Sequence, residues 1–184
     1  MEQKPASLVK SAMISGIYLG LISILLSILI WVGGVIESMG IFGGVIIGIM
    51  SLVISFILVF IFTKGYRNKV LGGFIGFGEA FKFALIAIAV SIVISMVYTY
   101  IFQTFIAPDY MENLMTVMQQ KTMDFMASKG VSDEQIDKAL EKFEEIPTVW
   151  KSLKQTLISG LIGGSIISLI VAAIVRKKEE DVIE

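Results

Sequence analysis

Hydrophobic positions along this chain come in four long blocks rather than in short alternating runs. They cover residues 11–32, 41–62, 80–106 and 152–175, with almost no charge inside any of them. A block of about 20 apolar residues is what a helix needs to cross about 30 Å of hydrocarbon. Backbone at that depth finds no water, so each block is predicted to be a helix that satisfies its own hydrogen bonds. Residues 33–40 form a short turn carrying one charge, Glu37. Thr63–Lys82 pairs a run of basic residues with a run of glycines and joins the second block to the third. The expected fold is all-α: one membrane domain over residues 1–184, with four transmembrane helices and a helical hairpin over residues 107–151, outside the membrane.

The hairpin is read from periodicity. Met111, Leu114, Met115, Met118, Thr122, Phe125 and Met126 recur at helical spacing on one face. Lys129-Gly130 suits a left-handed helix stop. Ser132 and Gln135 then have capping-box spacing, flanked by Val131 and Ile136 as a hydrophobic staple. Ile136, Ala139, Leu140 and Phe143 form a matching apolar stripe, while Glu134, Asp137, Glu141 and Glu144 face water. Pro108 and Pro147 disfavour helix just before them, so breaks are expected where the hairpin joins the membrane helices.

Composition narrows the chemistry. Hydrophobic residues make up 55% of the 184 and charged residues 17%, more apolar surface than a soluble domain of this size can hide. Cys and His are both absent, which removes thiolate nucleophiles, imidazole bases, disulfides and the usual zinc sites. Net charge is −1, so nucleic acid is not an expected partner. The first block is longer than the roughly 7–15 residues of a signal-peptide core, and a retained helix is expected there.

Basic residues set the orientation. Lys4, Lys10, Lys64, Arg67, Lys69, Lys82, Arg176, Lys177 and Lys178 all fall on one side, whereas lysines in the insert are outnumbered by acids. By the positive-inside rule both termini and the basic loop face the cytoplasm and the hairpin faces outward. Trp31, Tyr98, Tyr100 and Trp150 then sit near the outer interface, where amphipathic rings concentrate.

Small residues recur every fourth position in the apolar blocks, notably Gly16 and Gly20, Gly44 and Gly48 (continuing from Gly40), Ser91 and Ser95, and Gly160 and Gly164. In lipid such faces allow close backbone approach, so these residues are the candidate helix-packing positions. One compact bundle is the plain reading, and the fourth helix facing a second copy of the chain is the sharper one. The cluster Gly72, Gly73, Gly76 and Gly78 lacks the strand context and spacing of a phosphate loop. An interfacial turn dipping Phe and Ile side chains toward the headgroups fits better, with Glu79 and Lys82 paired at the start of the third helix. The hairpin methionines Met111, Met115, Met118, Met123 and Met126 have thioethers suited to Cu(I), but all except Met123 lie on the stripe that meets the second hairpin helix, where Met fills irregular contacts. No ionisable residue falls near mid-bilayer, and Gln103 lies close to the outer end.

The order YRNK, GGFIGFGEAFK and YTYIFQTFIAPDY, followed by the acidic SDEQIDKALEKFEE helix and a basic-ended final helix, resembles the family called domain of unknown function 4199. That resemblance implies a bacterial inner-membrane protein of four helices with an outer insert and no assigned activity. Its most specific positions here are Gly73, Phe77, Gly78, Glu79, Ala80, Phe81 and Lys82. No catalytic residue, cofactor or metal ligand is expected. The expected role is a non-enzymatic one: the chain sits in the lipid bilayer, and its outer hairpin docks an envelope partner or supports a homo-oligomer. The alternative is a subunit of a small oligomeric channel or transporter.

Overall fold

The structure, a computed structural model, describes residues 7–143 and 145–177, without the side chains of residues 37, 39–42 and 142. Lys4, Lys178, Glu144, the acidic tail and the surroundings of Glu37 and Gly40 lie outside the described residues. The chain is all-α, with α1 (Leu8–Val32), α2 (Val35–Lys69), α3 (Phe77–Ile101), α4 (Tyr110–Ser128), α5 (Asp133–Leu140) and α6 (Val149–Val175). Four segments are long and apolar enough to cross a membrane: Leu8–Val32, Gly43–Lys69, Phe77–Ile106 and Val149–Val175.

Helix ends fall where backbone chemistry puts them, not where hydrophobicity stops. The turn after α1 is only Gly33-Gly34, and Gly34 takes a left-handed φ of 57° that glycine adopts without steric cost. α2 therefore starts well before the second apolar block and runs for 35 residues. It also continues through Thr63–Lys69, which the charge pattern assigns to a loop. Polar residues do not end a helix; the stop comes at Gly72 and Gly73, with φ of 67° and 103°. α3 begins at Phe77, slightly earlier than expected, after Gly76 in extended conformation. Its last turn, Phe102–Ile106, is a π-helix closed by the Ala107 N–H donating to the Phe102 carbonyl at 2.8 Å. Ala107 then leaves helical geometry before Pro108, as the ring of a following proline demands. α6 starts after Pro147, with Thr148 Oγ1 accepting from the Lys151 N–H at 3.3 Å.

α3 is the centre of the bundle, packed along α1 on one side and α6 on the other. Close approach depends on notches. A Cβ added at Gly16 would lie 2.5 Å from the Ala87 carbonyl oxygen, and one at Gly20 would lie 2.8 Å from Ile94. On the other side, Gly160 faces Ile92 and Gly164 faces Ile88 at 2.9 and 2.5 Å from the same imagined atom. β-branched side chains of α3 thus seat in glycine notches of α1 and α6, the contact that substitutes for hydrophobic drive in lipid. α2 joins this slab less intimately: only 6% of its spanning window is buried, against 33% for α3.

The hairpin forms, with α4 against α5 and α4 also touching α2. Its turn is a Schellman stop: Gly130 at φ 70°, its N–H donating to the Ala127 carbonyl, and the Val131 N–H donating to the Met126 carbonyl. Ser132 is the N-cap of α5, but its side chain makes no capping bond; its carbonyl accepts from the Gln135 and Ile136 N–H groups instead. Thr122 and Ile136 are buried, whereas Phe125 is exposed, so the stripe of α4 is covered only in part.

At the opposite end, which carries the basic residues, the loop is clasped to the end of α6. Ile75 and Lys177 exchange two backbone hydrogen bonds of 3.0 Å, and Arg67 Nη1 donates to the Val175 carbonyl at 2.9 Å. That carbonyl is one of the last of its helix, which has no partner within the helix and favours a cation. Ile75 is buried rather than dipped toward headgroups, because the bridge to Lys177 turns it into the bundle; Phe77 is the exposed member of the segment. Replacing Arg67 with Gln is expected to cost about 1–2 kcal/mol in detergent unfolding, with Arg67→Lys intermediate, because a half-buried charged donor is lost.

Candidate functional site: a polar cleft at the hairpin end

Because α2 stands off from the slab, a cleft of about 350 Å³ opens between α1, α2 and α3 toward the hairpin. Its α1 wall includes Ser23, Ser27 and Trp31, its α2 wall Ser51 and Ser55, and its α3 wall Tyr98, Thr99 and Gln103. Helical spacing explains the serines: 23 with 27 and 51 with 55 each put two hydroxyls on one face. Ser23 Oγ donates to the Leu19 carbonyl at 2.9 Å, the back-bond that lets a hydroxyl exist in an apolar helix. Its lone pairs remain free to accept. Phe102 anchors a roof of rings at this end, with centroids 5.1 Å from Trp31, 5.6 Å from Tyr98 and 5.3 Å from Tyr110.

Two atoms in this wall stand out. Tyr98 Oη and Gln103 Oε1 are buried and have no hydrogen-bond partner among the described residues. A buried polar atom left unpaired costs about 1–3 kcal/mol, and such exceptions in a folded protein call for a water, a ligand or a functional reason. The π-turn explains how Gln103 comes to lie there. It sits inside the π-helix that ends α3, a geometry that recurs at functional sites. The cleft's described lining contains no charged residue. It is roomy, since one water needs only about 10–15 Å³.

Below it lies a second, narrower cleft of about 160 Å³, lined by Leu52, Val59, Ile88, Ser91, Ile92, Ser159, Gly163 and Ile167 among others. The two clefts share Leu19, Ser23 and Ser55. Toward the basic end the bundle is filled by Val59, Thr63, Ala80, Phe83 and Ala84, none more than 1% exposed.

The residues singled out by sequence fall in three places. Gly16, Gly20, Gly160 and Gly164 lie at the α1–α3 and α6–α3 contacts, so the notches of α6 face α3 of the same chain and not a second copy. Gly44 and Gly48 have nothing within 4 Å of an added Cβ and face away from the bundle. Ser91 Oγ donates to the Ile88 carbonyl and lines the lower cleft, while Ser95 is half-buried and makes no such contact. Gly73, Phe77, Gly78, Glu79, Ala80, Phe81 and Lys82 gather at the basic end. Ala80 is fully buried there and Phe77 stacks on Phe81 at 6.4 Å. The ion pairs found among the described residues are Lys138–Glu134 and Lys151–Glu145, so Glu79 and Lys82 do not pair. At about 1.5 Å per residue, Phe77 lies about 30 Å along α3 from Tyr98, so these motif residues and the cleft are separate.

Sequence reasoning placed Tyr98 in an aromatic belt and Gln103 near the outer end without joining them. The available signal was two serine pairs at i, i+4 on neighbouring helices opposite a Tyr and a Gln on a third. Among the described residues no group of three or more acids could hold a metal ion. A family model described as a protein of unknown function (DUF4199) matches residues 14–177. No curated protein and no solved structure matches the chain.

Proposed function

Because the chain belongs to the DUF4199 family, whose description assigns no activity, we propose its function from the cleft: it is a multi-pass membrane protein that binds a small, uncharged, hydrogen-bonding molecule between α1, α2 and α3, without catalysing a reaction. The observation that carries this reading is that Tyr98 and Gln103, two residues lining the cleft, each keep a buried polar atom, Oη and Oε1, without a partner among the described residues. The lack of charge in the lining supports an uncharged occupant, because an ion there would be desolvated without a counter-charge. The absence of Cys and His supports binding over chemistry. The filled interior below Val59 and Thr63 supports binding over conduction. In this reading the hairpin faces outward from a bacterial cytoplasmic membrane and the clasped basic end faces inward.

A second reading, docking of an envelope protein by the hairpin, is favoured by a groove of about 530 Å³ lined by Gln119, Gln120, Met123, Leu140 and Glu141. One experiment separates the two. Gentle purification of the full chain, followed by intact-complex mass measurement, is expected to show an added small-molecule mass that the Tyr98→Phe/Gln103→Leu double variant loses. A protein partner lost on deleting residues 110–145, with no small-molecule mass, supports docking and refutes the cleft. Thiol tags at positions 67 and 130 reacting from opposite faces check the orientation.

A further inference from the structure

We propose that the clasped basic end binds the headgroup of an anionic phospholipid through Lys69, Arg176 and Lys177, at the opposite end of the bundle from the cleft and independently of it. The clasp is what brings these three cations to one corner. Arg67 donates across 108 residues of sequence to the Val175 carbonyl. Arg176 and Lys177 follow Val175 directly, and Lys69 lies two residues beyond Arg67. The Gly73 N–H donates to the Arg67 carbonyl at 2.9 Å, which ties the glycine loop to the same corner. Lys177 is held at its backbone by both bonds to Ile75, and its Nζ lies 5.6 Å from the centre of the Phe74 ring.

Lys69, Arg176 and Lys177 are all exposed, and none belongs to an ion pair among the described residues. Arg67 differs from them. Its guanidinium is engaged by the Val175 carbonyl and by Asn68 Oδ1, so it builds the corner and leaves the other three to face an anion. Nine basic and six acidic residues of the sequence belong to this end, so the acidic tail after Lys178 does not cancel its charge. Room is present as well: Gly72 and Gly76 are exposed, and an added Cβ at either meets nothing within 4 Å.

Depth selects a lipid over a soluble anion. Lys69 is the last residue of one spanning segment, Phe77 the first of the next and Val175 the last of another. The corner therefore lies where hydrocarbon gives way to headgroups. A lipid phosphodiester is kept at that depth by its own acyl chains, and each basic residue at an anionic membrane surface strengthens binding severalfold. Phe77, exposed and stacked on Phe81, adds apolar rings beside the cations.

The test sets phosphatidylglycerol against phosphatidylcholine of the same acyl chains, competing for the full-length protein in nonionic detergent, with bound lipid counted by intact-complex mass measurement. The wild type is expected to hold phosphatidylglycerol at least about tenfold more tightly at low salt. That ratio should fall as salt is raised, because exposed charges are screened. Lys69→Gln/Arg176→Gln/Lys177→Gln should bring it close to one, and Lys69→Gln alone, which leaves the clasp intact, should lower it severalfold. Lys121→Gln/Lys129→Gln/Lys154→Gln removes the same charge from exposed positions at the hairpin end and should leave it unchanged. Equal binding of the two lipids, a preference that both basic-end variants keep, or one that the hairpin-end variant also loses overturns the proposal. So does displacement of phosphatidylglycerol by inorganic phosphate beyond what sodium chloride of equal ionic strength causes, which would assign the corner to a soluble anion.

Discussion

Gly16→Leu is expected to dismantle the α1–α3 contact and cost about 3 kcal/mol or more, the largest stability loss of any single change considered for this chain. The reason is what the new atom would meet. At Gly16 a Cβ lands 2.5 Å from the Ala87 carbonyl oxygen, a backbone atom of the central helix, and 2.7 Å from Val90 Cβ. Neither can swing aside as the tip of a flexible side chain can. The helices must separate, and overpacking at sites that can relax already costs about 1–3 kcal/mol. Separation also forfeits the dispersion contacts that hold membrane helices together where lipid competes for apolar surface. Gly48→Leu is the control: it has the same chemistry, in a membrane helix, with nothing within 4 Å of the new atom. It should change unfolding in detergent by less than about 0.5 kcal/mol. Equal losses for the two variants would show that added side-chain bulk, wherever it lies, and not the notch, sets the cost, because the backbone effect of Gly→Leu in a helix is favourable.

Removing the two orphan polar atoms should have the opposite sign. In lipid-stripped protein, Tyr98→Phe and Gln103→Leu are each expected to raise stability by about 1–3 kcal/mol, since each deletes a desolvated group that no other group among the described residues satisfies. The gain should reverse when the wild type carries its occupant, because a ligand that binds only the folded state stabilises it by mass action. Thermal unfolding of the wild type and the double variant, before and after delipidation, checks this crossover. A residue held at a cost to the empty fold and repaid on binding is the signature of a site. Were both variants less stable than the wild type in stripped protein, waters would be filling the role assigned to the occupant.

Much of the architecture is legible without coordinates, for reasons that can be named. Four long apolar blocks, two of them with a single lysine, specify four helices because a helix satisfies its own backbone hydrogen bonds in hydrocarbon. Gly130 announces the hairpin stop because only glycine takes its φ of 70° freely. Pro108 and Pro147 mark breaks because the ring acts on its neighbour locally. Where pattern reading missed, it used charge as a proxy for helix end. Thr63–Lys69 remains helical because basic residues at a helix C-terminus are favourable. The Ser132 side chain makes no cap because its carbonyl already accepts two N–H groups of the first turn.

The cleft was hidden for a different reason. Ser23, Ser51, Tyr98 and Gln103 are far apart in sequence, and each has a sufficient local explanation: back-bonding serines, an interfacial tyrosine, a glutamine near a helix end. By itself the sequence determined the membrane class, the number of spanning helices, the hairpin between the last two and the poverty of ionisable chemistry, because these follow from composition and from interactions a few residues long. Only the tertiary structure decided which glycines are notches and which face outward, that α2 stands away from the slab, and that two residues lining one cleft each keep a buried polar atom without a partner among the described residues. Those outcomes depend on the rotation of each helix about its axis, which packing between distant segments sets and a hydropathy pattern does not.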